Sequence, residues 1–188
     1  VATMCAVIDA AEIRIGDTVV IQGLGLLGLY GAALAKARGA GRVIGIDRVA
    51  ARRSLAQRFG VDTAVDPENV PKIERGADVV IEVCGDPAVL VSGLDILRIG
   101  GRYVLAGLVS PGARVDFDAN LIVRKLITMT GVHNYHPRHL VQARDFVVAQ
   151  RTHFPFAELV DGIYTLSEVD HAMADAAACR VLRAAIVP

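Results

Sequence analysis

The strongest constraint on the fold lies between residues 18 and 47. A short β-branched run, Thr18-Val19-Val20-Ile21, leads through Gln22 into Gly23-Leu24-Gly25-Leu26-Leu27-Gly28, and an Ala- and Leu-rich stretch follows to Arg38. Gly39 then offers a helix stop. A second apolar run, residues 42–47, ends on Asp47, nineteen residues after the third glycine. A G-x-G-x-x-G string alone is weak in a glycine-rich chain. Set between a strand and a helix, with an acid closing the next strand, it is the dinucleotide fingerprint in its required context. Gly23 permits the tight turn, Gly25 lets backbone approach a pyrophosphate, and Gly28 lets helix and strand pack closely. Leu26 and Leu27 open the helix, whose free N–H groups and positive dipole end attract phosphate. The alternatives are a tight turn that binds nothing and an S-adenosylmethionine site. A phosphate loop of the Walker type is excluded, because no Gly-Lys-Ser/Thr follows.

Asp47 selects the cofactor. A carboxylate there accepts hydrogen bonds from ribose hydroxyls and repels a 2′-phosphate, which favours NAD over NADP. Arg48, Arg52 and Arg53 pull the other way, since guanidinium groups bind phosphate. Their plainer reading is an exposed helix face.

The alternation continues along the chain. Residues 50–59 read as a helix, 62–65 as a strand, 77–84 as a strand, 87–97 as a helix stopped by Gly100-Gly101, 102–108 as a strand and 126–132 as a sixth strand. Near-continuous apolar strands alternating with helices imply a parallel sheet covered on both faces. The expectation is an α/β fold, a doubly wound six-stranded Rossmann sheet over residues 1–132. One connection is short. Only residues 67–76 separate the third and fourth strands, so that crossover is a single turn or residues are missing. Residues 133–188 change pattern: a helix over 139–150, a strand over 159–166, a helix from an N-cap at Ser167 to about 178, and a strand over 181–187. This is too short for a domain and reads as a return segment of a catalytic domain whose other half is absent.

The 188 residues carry 20 Lys+Arg against 20 Asp+Glu and are 53% hydrophobic. Zero net charge argues against nucleic acid or an anionic membrane as partner, and no run is long enough to span a bilayer. The three cysteines, Cys5, Cys84 and Cys179, are odd in number and lack ligand spacing, which points to a reducing cytoplasm. His136 and His139 lie three apart, but Pro137 between them and the lack of a nearby carboxylate or thiol leave no metal site predicted. The chain starts at Val1, and the expectation is a piece of something longer.

The strings Gly16-Asp17-Thr18-Val19-Val20-Ile21-Gln22-Gly23-Leu24-Gly25-Leu26-Leu27-Gly28, Val43-Ile44-Gly45-Ile46-Asp47, Ala77-Asp78-Val79-Val80-Ile81-Glu82 and Gly100-Gly101-Arg102-Tyr103-Val104-Leu105-Ala106-Gly107 together resemble the medium-chain dehydrogenase/reductases, specifically the zinc-type alcohol and polyol dehydrogenases. The stretches 131–135 and 154–160 also resemble a branch associated with phosphonate catabolism. The resemblance implies that Arg52 reaches the adenosine ribose and that Val83, Cys84 and Gly85 line the adenine and ribose side. It implies that Ala106, Gly107 and Leu108 present backbone to the nicotinamide carboxamide, that Val132, His133 and Asn134 complete that pocket, and that Arg183 reaches the pyrophosphate. For Cys84 a small buried hydrophobe is the plainer alternative, and for Arg183 a surface ion pair.

The family's zinc ligands and its structural four-cysteine cluster would fall before Val1. Zinc is therefore expected only in an absent N-terminal part, and no catalytic residue is assigned, His133 being a remote candidate for a base. The implied activity is hydride transfer between NAD and an alcohol or polyol polarised by zinc. The implied assembly is a homodimer or homotetramer paired through the sixth strands. Two other functions stay open: a zinc-independent NADPH enone or quinone reductase of the same superfamily, and a non-catalytic NAD(H)-binding module.

Overall fold

A computed structural model describes residues 1–188 and divides into two compact units, Val1–Phe146 and Val147–Pro188. In the first unit, in chain order, the elements are α1 (Ala2–Ala11), β1 (Thr18–Gln22), α2 (Leu26–Ala37), β2 (Arg42–Ile46), α3 (Ala50–Ala56), β3 (Thr63–Val65), β4 (Ala77–Glu82), α4 (Val89–Ile96), β5 (Leu97–Leu105), α5 (Asn120–Lys125) and β6 (Thr128–Gly131). The strands form one sheet in the order β3-β2-β1-β4-β5-β6. Every pairing is parallel. This is the expected doubly wound sheet, with its topological switch between β1 and β4.

The apolar strand runs are buried on both faces. Val19, Val20, Ile21, Val43, Ile44, Val79, Val80 and Ile81 are all fully inaccessible. Each such side chain contributes roughly 1.5–3 kcal/mol relative to exposure. At the amino ends of the strands Asp17 pairs with Arg102 across the sheet, both buried. Asp78 accepts from the Thr18 N–H at 2.7 Å and from Arg98 at 2.6 Å, tying β1, β4 and β5 together.

Two strand boundaries differ from the sequence reading, one helix is new to it, and the short crossover proves to be a single turn. Helix α1 is unanticipated, although Met4, Val7, Ile8 and Ala11 are buried at helical spacing. Met4 lies so close to α2 that a Cβ on Gly31 would come within 2.7 Å of its methyl. The short crossover contains only a 3₁₀ turn, Pro67–Asn69. Val70 and Ile73 pack on the sheet where a helix would lie. Strand β5 begins at Leu97, not at 102, because a register shift lets Leu97 pair with Ala77 before the ladder resumes at Val79–Arg102. Residues 126 and 127 are not strand, since Leu126 (φ +53°) is the left-handed C-cap of α5.

Helix α6 (Arg138–Gln150) carries the chain between the units. In the second unit β7 (Gly162–Thr165) and β8 (Ala184–Val187) pair in parallel, joined through α7 (Val169–Ala177). The N-cap of α7 is Glu168 rather than Ser167, one residue later, because Thr165 and Glu168 form a reciprocal capping box over a 3₁₀ turn, Leu166–Glu168, that precedes the helix. No helix is long and apolar enough to cross a membrane.

Candidate nucleotide-binding site

The carboxyl ends of β1, β2 and β4–β6 form one edge of the first unit, where ligands of such sheets bind. Gly23 leaves β1 with φ +99° and donates to Ile46 O at 2.8 Å. A Cβ there would come within 2.8 Å of Cys84 Cβ. Leu24 turns inward and is fully buried over Gly45, where a Cβ would collide with its methyls at 2.7 Å. Gly28 packs against the turn so closely that a Cβ would sit 1.9 Å from Gly23 O. Gly25 is different. As the N-cap of α2 it has ordinary φ (−70°), and a Cβ would meet only Arg52 Nη1, at 3.9 Å. Open space therefore stands above Gly25, Leu26 and Leu27, beside a helix N-terminus with neither a capping side chain nor a first-turn acid. This cradle fits a pyrophosphate.

Asp47 is nearly buried, with only 8% of its surface exposed. Its Oδ2 accepts from the Leu24 N–H at 2.7 Å and its Oδ1 from the Val49 N–H at 2.8 Å. The carboxylate is thus locked to the glycine turn while each oxygen keeps a lone pair for a further donor. The three arginines separate. Arg53 is occupied by Asp47 O, Arg48 O and Asp66. Arg52 leans toward Asp47 at 3.9 Å. Arg48 is exposed, with its guanidinium unpaired.

At the end of β4, Val83 continues the ladder to Gln22 O at 3.0 Å, and Gly85 turns with φ +74°. Cys84 is exposed rather than a buried hydrophobe. The atoms packed around its sulfur push its thiol up to about 11, outweighing a hydrogen bond from the Asp86 backbone that lowers it, and the Glu82 carboxylate and then Asp86 add to the rise. At the ends of β5 and β6, Ala106, Leu108, Val132 and His133 converge with Leu105, Val109 and Gly131 on a cavity of about 400 Å³. Gly107 lies between two of these residues, and a Cβ on it would come within 2.4 Å of Glu82 Oε1. Asn134 is left-handed (φ +59°) and contacts His133 Nε2 at 3.0 Å. Both side chains are exposed.

Arg183 belongs to the second unit, in the turn before β8, where its N–H donates to Asp161 at 3.2 Å. It pairs with no acid, so the surface ion pair considered for it does not form. His139 accepts the His136 N–H on Nδ1 and lies 3.5 Å from Asp9. No three His, Cys, Asp or Glu side chains converge as metal ligands.

Three buried polar groups under the site carry no role in the sequence reading. Glu82 accepts from Cys84 N, Gly85 N and Gly107 N. Gln22 donates to Val89 O at 2.9 Å and accepts from the Tyr103 hydroxyl at 2.6 Å. Burial, then the nearby Glu82 charge, pushes the Tyr103 hydroxyl well above its ordinary range. The signal in the sequence was a polar residue closing an otherwise apolar parallel strand, Gln22 on β1 and Glu82 on β4.

Residues 27–149 match the family described as zinc-binding dehydrogenase. The chain is 31% identical to the sorbitol dehydrogenase of Halalkalibacterium halodurans over 187 residues, covering 93% of this chain and 54% of that one. It is 39% identical to the L-threonine 3-dehydrogenase of Pyrococcus furiosus over 129 residues, 64% of this chain and 37% of that one. An alcohol dehydrogenase of Thermotoga maritima superposes on the whole chain with a TM-score of 0.91 at 30% identity, over 54% of its own length. The chain therefore spans between about a third and a little over half of the relatives it matches. With a glycine-turn cradle at the switch point of a 3-2-1-4-5-6 sheet and a family match over most of its length, the chain belongs to the zinc-binding dehydrogenases.

Proposed function

We propose that this chain is the NAD-binding part of a zinc-type oxidoreductase that moves hydride between the cofactor and an alcohol or polyol. The observation that carries the reading is the open cradle at Gly25 beside the locked Asp47 carboxylate. Backbone N–H groups of Leu26, Leu27 and Gly28 hold the pyrophosphate. Asp47 accepts the ribose hydroxyls and repels a 2′-phosphate, with Arg52 alongside, and Arg48 lies at the rim. Val83, Cys84 and Gly85 line the adenine and ribose side. Ala106, Gly107, Leu108, Val132, His133 and Asn134 bind and orient the nicotinamide in the 400 Å³ cavity.

Bound there, the cofactor supplies the hydride acceptor. The chain's own contribution is to fix the ring's face and to keep water from it. Zinc would be held by residues outside this chain, and residues 133–188 return toward that catalytic portion. Self-association through the unpaired edge of β6 gives a homodimer or homotetramer. Three free cysteines suit a reducing cytoplasm.

Calorimetric titration of the full chain with NAD and with NADP tests the reading. NAD should bind at least about tenfold tighter, and Asp47→Ser should narrow that gap by removing the repulsion. A chain that binds neither cofactor, or binds NADP more tightly, would not have this function.

A further inference from the structure

We propose that Glu82 is a specificity residue for the cofactor's oxidation state, its buried charge favouring the oxidised, cationic nicotinamide over the neutral reduced one. The proposal rests on the reading of the site as a nicotinamide dinucleotide site. Glu82 ends β4, in the centre of the sheet, and is completely inaccessible. Its Oε1 accepts from Cys84 N at 2.8 Å and Gly85 N at 2.6 Å, and its Oε2 accepts from Gly107 N at 2.9 Å. The side chain donates to none of them, the pattern of an ionised carboxylate.

Every one of those partners is neutral, and no lysine, arginine or histidine forms an ion pair with Glu82. The arrangement differs from the other buried acids. Asp17 is matched by Arg102, and Asp47 has Arg52 within 3.9 Å. Among the buried acids, Asp17, Asp47 and Glu82, only Glu82 has no cationic side chain within ion-pair distance.

The direction of that charge follows from the chain. Gly107, which donates to Glu82, sits between Ala106 and Leu108, both of which line the 400 Å³ cavity. A carboxylate one peptide behind the cavity wall interacts with a ring on the other side through protein rather than through water, where screening is weak. The oxidised nicotinamide ring carries a positive charge and the reduced ring none, so Glu82 acts on one form and leaves the other nearly untouched. A purely structural role, fixing the two loops at the ends of β4 and β5, would act on both forms alike. Removing the charge without removing the shape separates the two.

The test measures dissociation constants for the oxidised and the reduced dinucleotide on the full chain, the first by calorimetry and the second by nicotinamide fluorescence. In Glu82→Gln the ratio of oxidised to reduced dissociation constants should rise about tenfold, equivalent to about 1.4 kcal/mol. In Glu82→Asp, which keeps the charge and shortens the arm, both affinities should fall together with the ratio held within about twofold. Equal weakening of both forms in Glu82→Gln overturns the proposal, and so does a ratio moved as far by Glu82→Asp. If Glu82→Gln does not fold, Glu82→Ser, a second neutral variant whose vacated space admits water to the three N–H groups, takes its place with the same expected tenfold rise and the same overturning outcome. A wild-type chain that binds neither form and no ADP-ribose refutes instead the dinucleotide reading on which the proposal stands.

Discussion

Three glycines of one motif do different things, and a single added methyl tells them apart. At Gly28 a Cβ would lie 1.9 Å from a backbone carbonyl that cannot move without unseating the β1 turn. Gly28→Ala should cost about 2–4 kcal/mol in urea unfolding and abolish cofactor binding with it. At Gly25 the backbone is ordinary and the nearest atom is 3.9 Å away. Gly25→Ala should leave the unfolding midpoint almost unchanged yet weaken NAD at least about tenfold, because the methyl enters the space meant for phosphate. A Gly25→Ala chain that binds NAD normally would remove the cradle from the site. Cys84 supplies a second test at this scale. With its thiol pushed up to about 11, only about 0.1% is thiolate near pH 8. Its alkylation rate should climb about tenfold per pH unit toward 11, and bound cofactor should slow it; a plateau near pH 8.5 would contradict the environment described. Gly23, Gly25, Gly28 and Asp47 were legible because their roles depend on local backbone and a fixed spacing. Glu82 was not, because its partner Gly107 is twenty-five residues away and reaches it only through sheet register.

The same distinction governs the elements. Apart from α1, which the reading missed, helices and strands with a clean period were found, while those whose ends are set by tertiary contacts moved. Strand β5 starts five residues early because Leu97 finds Ala77 across the ladder, a pairing invisible to a reading that treats Gly100-Gly101 as a helix stop. The crossover after β3 carries no α-helix, and Val70 and Ile73 within it pack on the sheet's core instead. What joins the amino ends of β1, β4 and β5 is largely Asp78, and its ionisation gives that junction a pH dependence. Desolvation works to raise the Asp78 carboxyl, but the Thr18 N–H, then Arg98, outweigh it and hold the group below its ordinary value. A lowered folded-state pKa stabilises fully above the unfolded value near 3.9 and is lost as pH falls through the folded one. Asp78→Asn should therefore cost about 1–2 kcal/mol at neutral pH. The deficit relative to wild type should shrink below about pH 4. A pH-independent deficit in denaturant titrations would show that the charge contributes nothing.

At the scale of the whole molecule the two units have unequal means of holding themselves together. The first buries a six-stranded sheet on both faces, whereas the second has two parallel strands and one helix, with Ile163, Leu166 and Met173 each more than two-thirds exposed. Parallel strands are ordinarily covered on both faces, so a two-stranded sheet that leaves these side chains in water is weakly held. Amide exchange should be slowest in β1 and β4 and fast across β7 and β8. NAD at a hundred times its dissociation constant adds about 2.7 kcal/mol to whatever folds around it. That should raise the melting temperature of the first unit by about 5–10 °C. The second unit then reports on Arg183. Its N–H is held by Asp161 in the turn before β8, so any cofactor contact made by its guanidinium must tighten that turn. If Arg183 reaches the pyrophosphate, NAD slows exchange across residues 181–187 as well as at the glycine turn, and Arg183→Ala erases the distant effect while leaving the near one. Protection confined to the first unit would remove Arg183 from the binding residues and leave the pyrophosphate to the helix N-terminus alone.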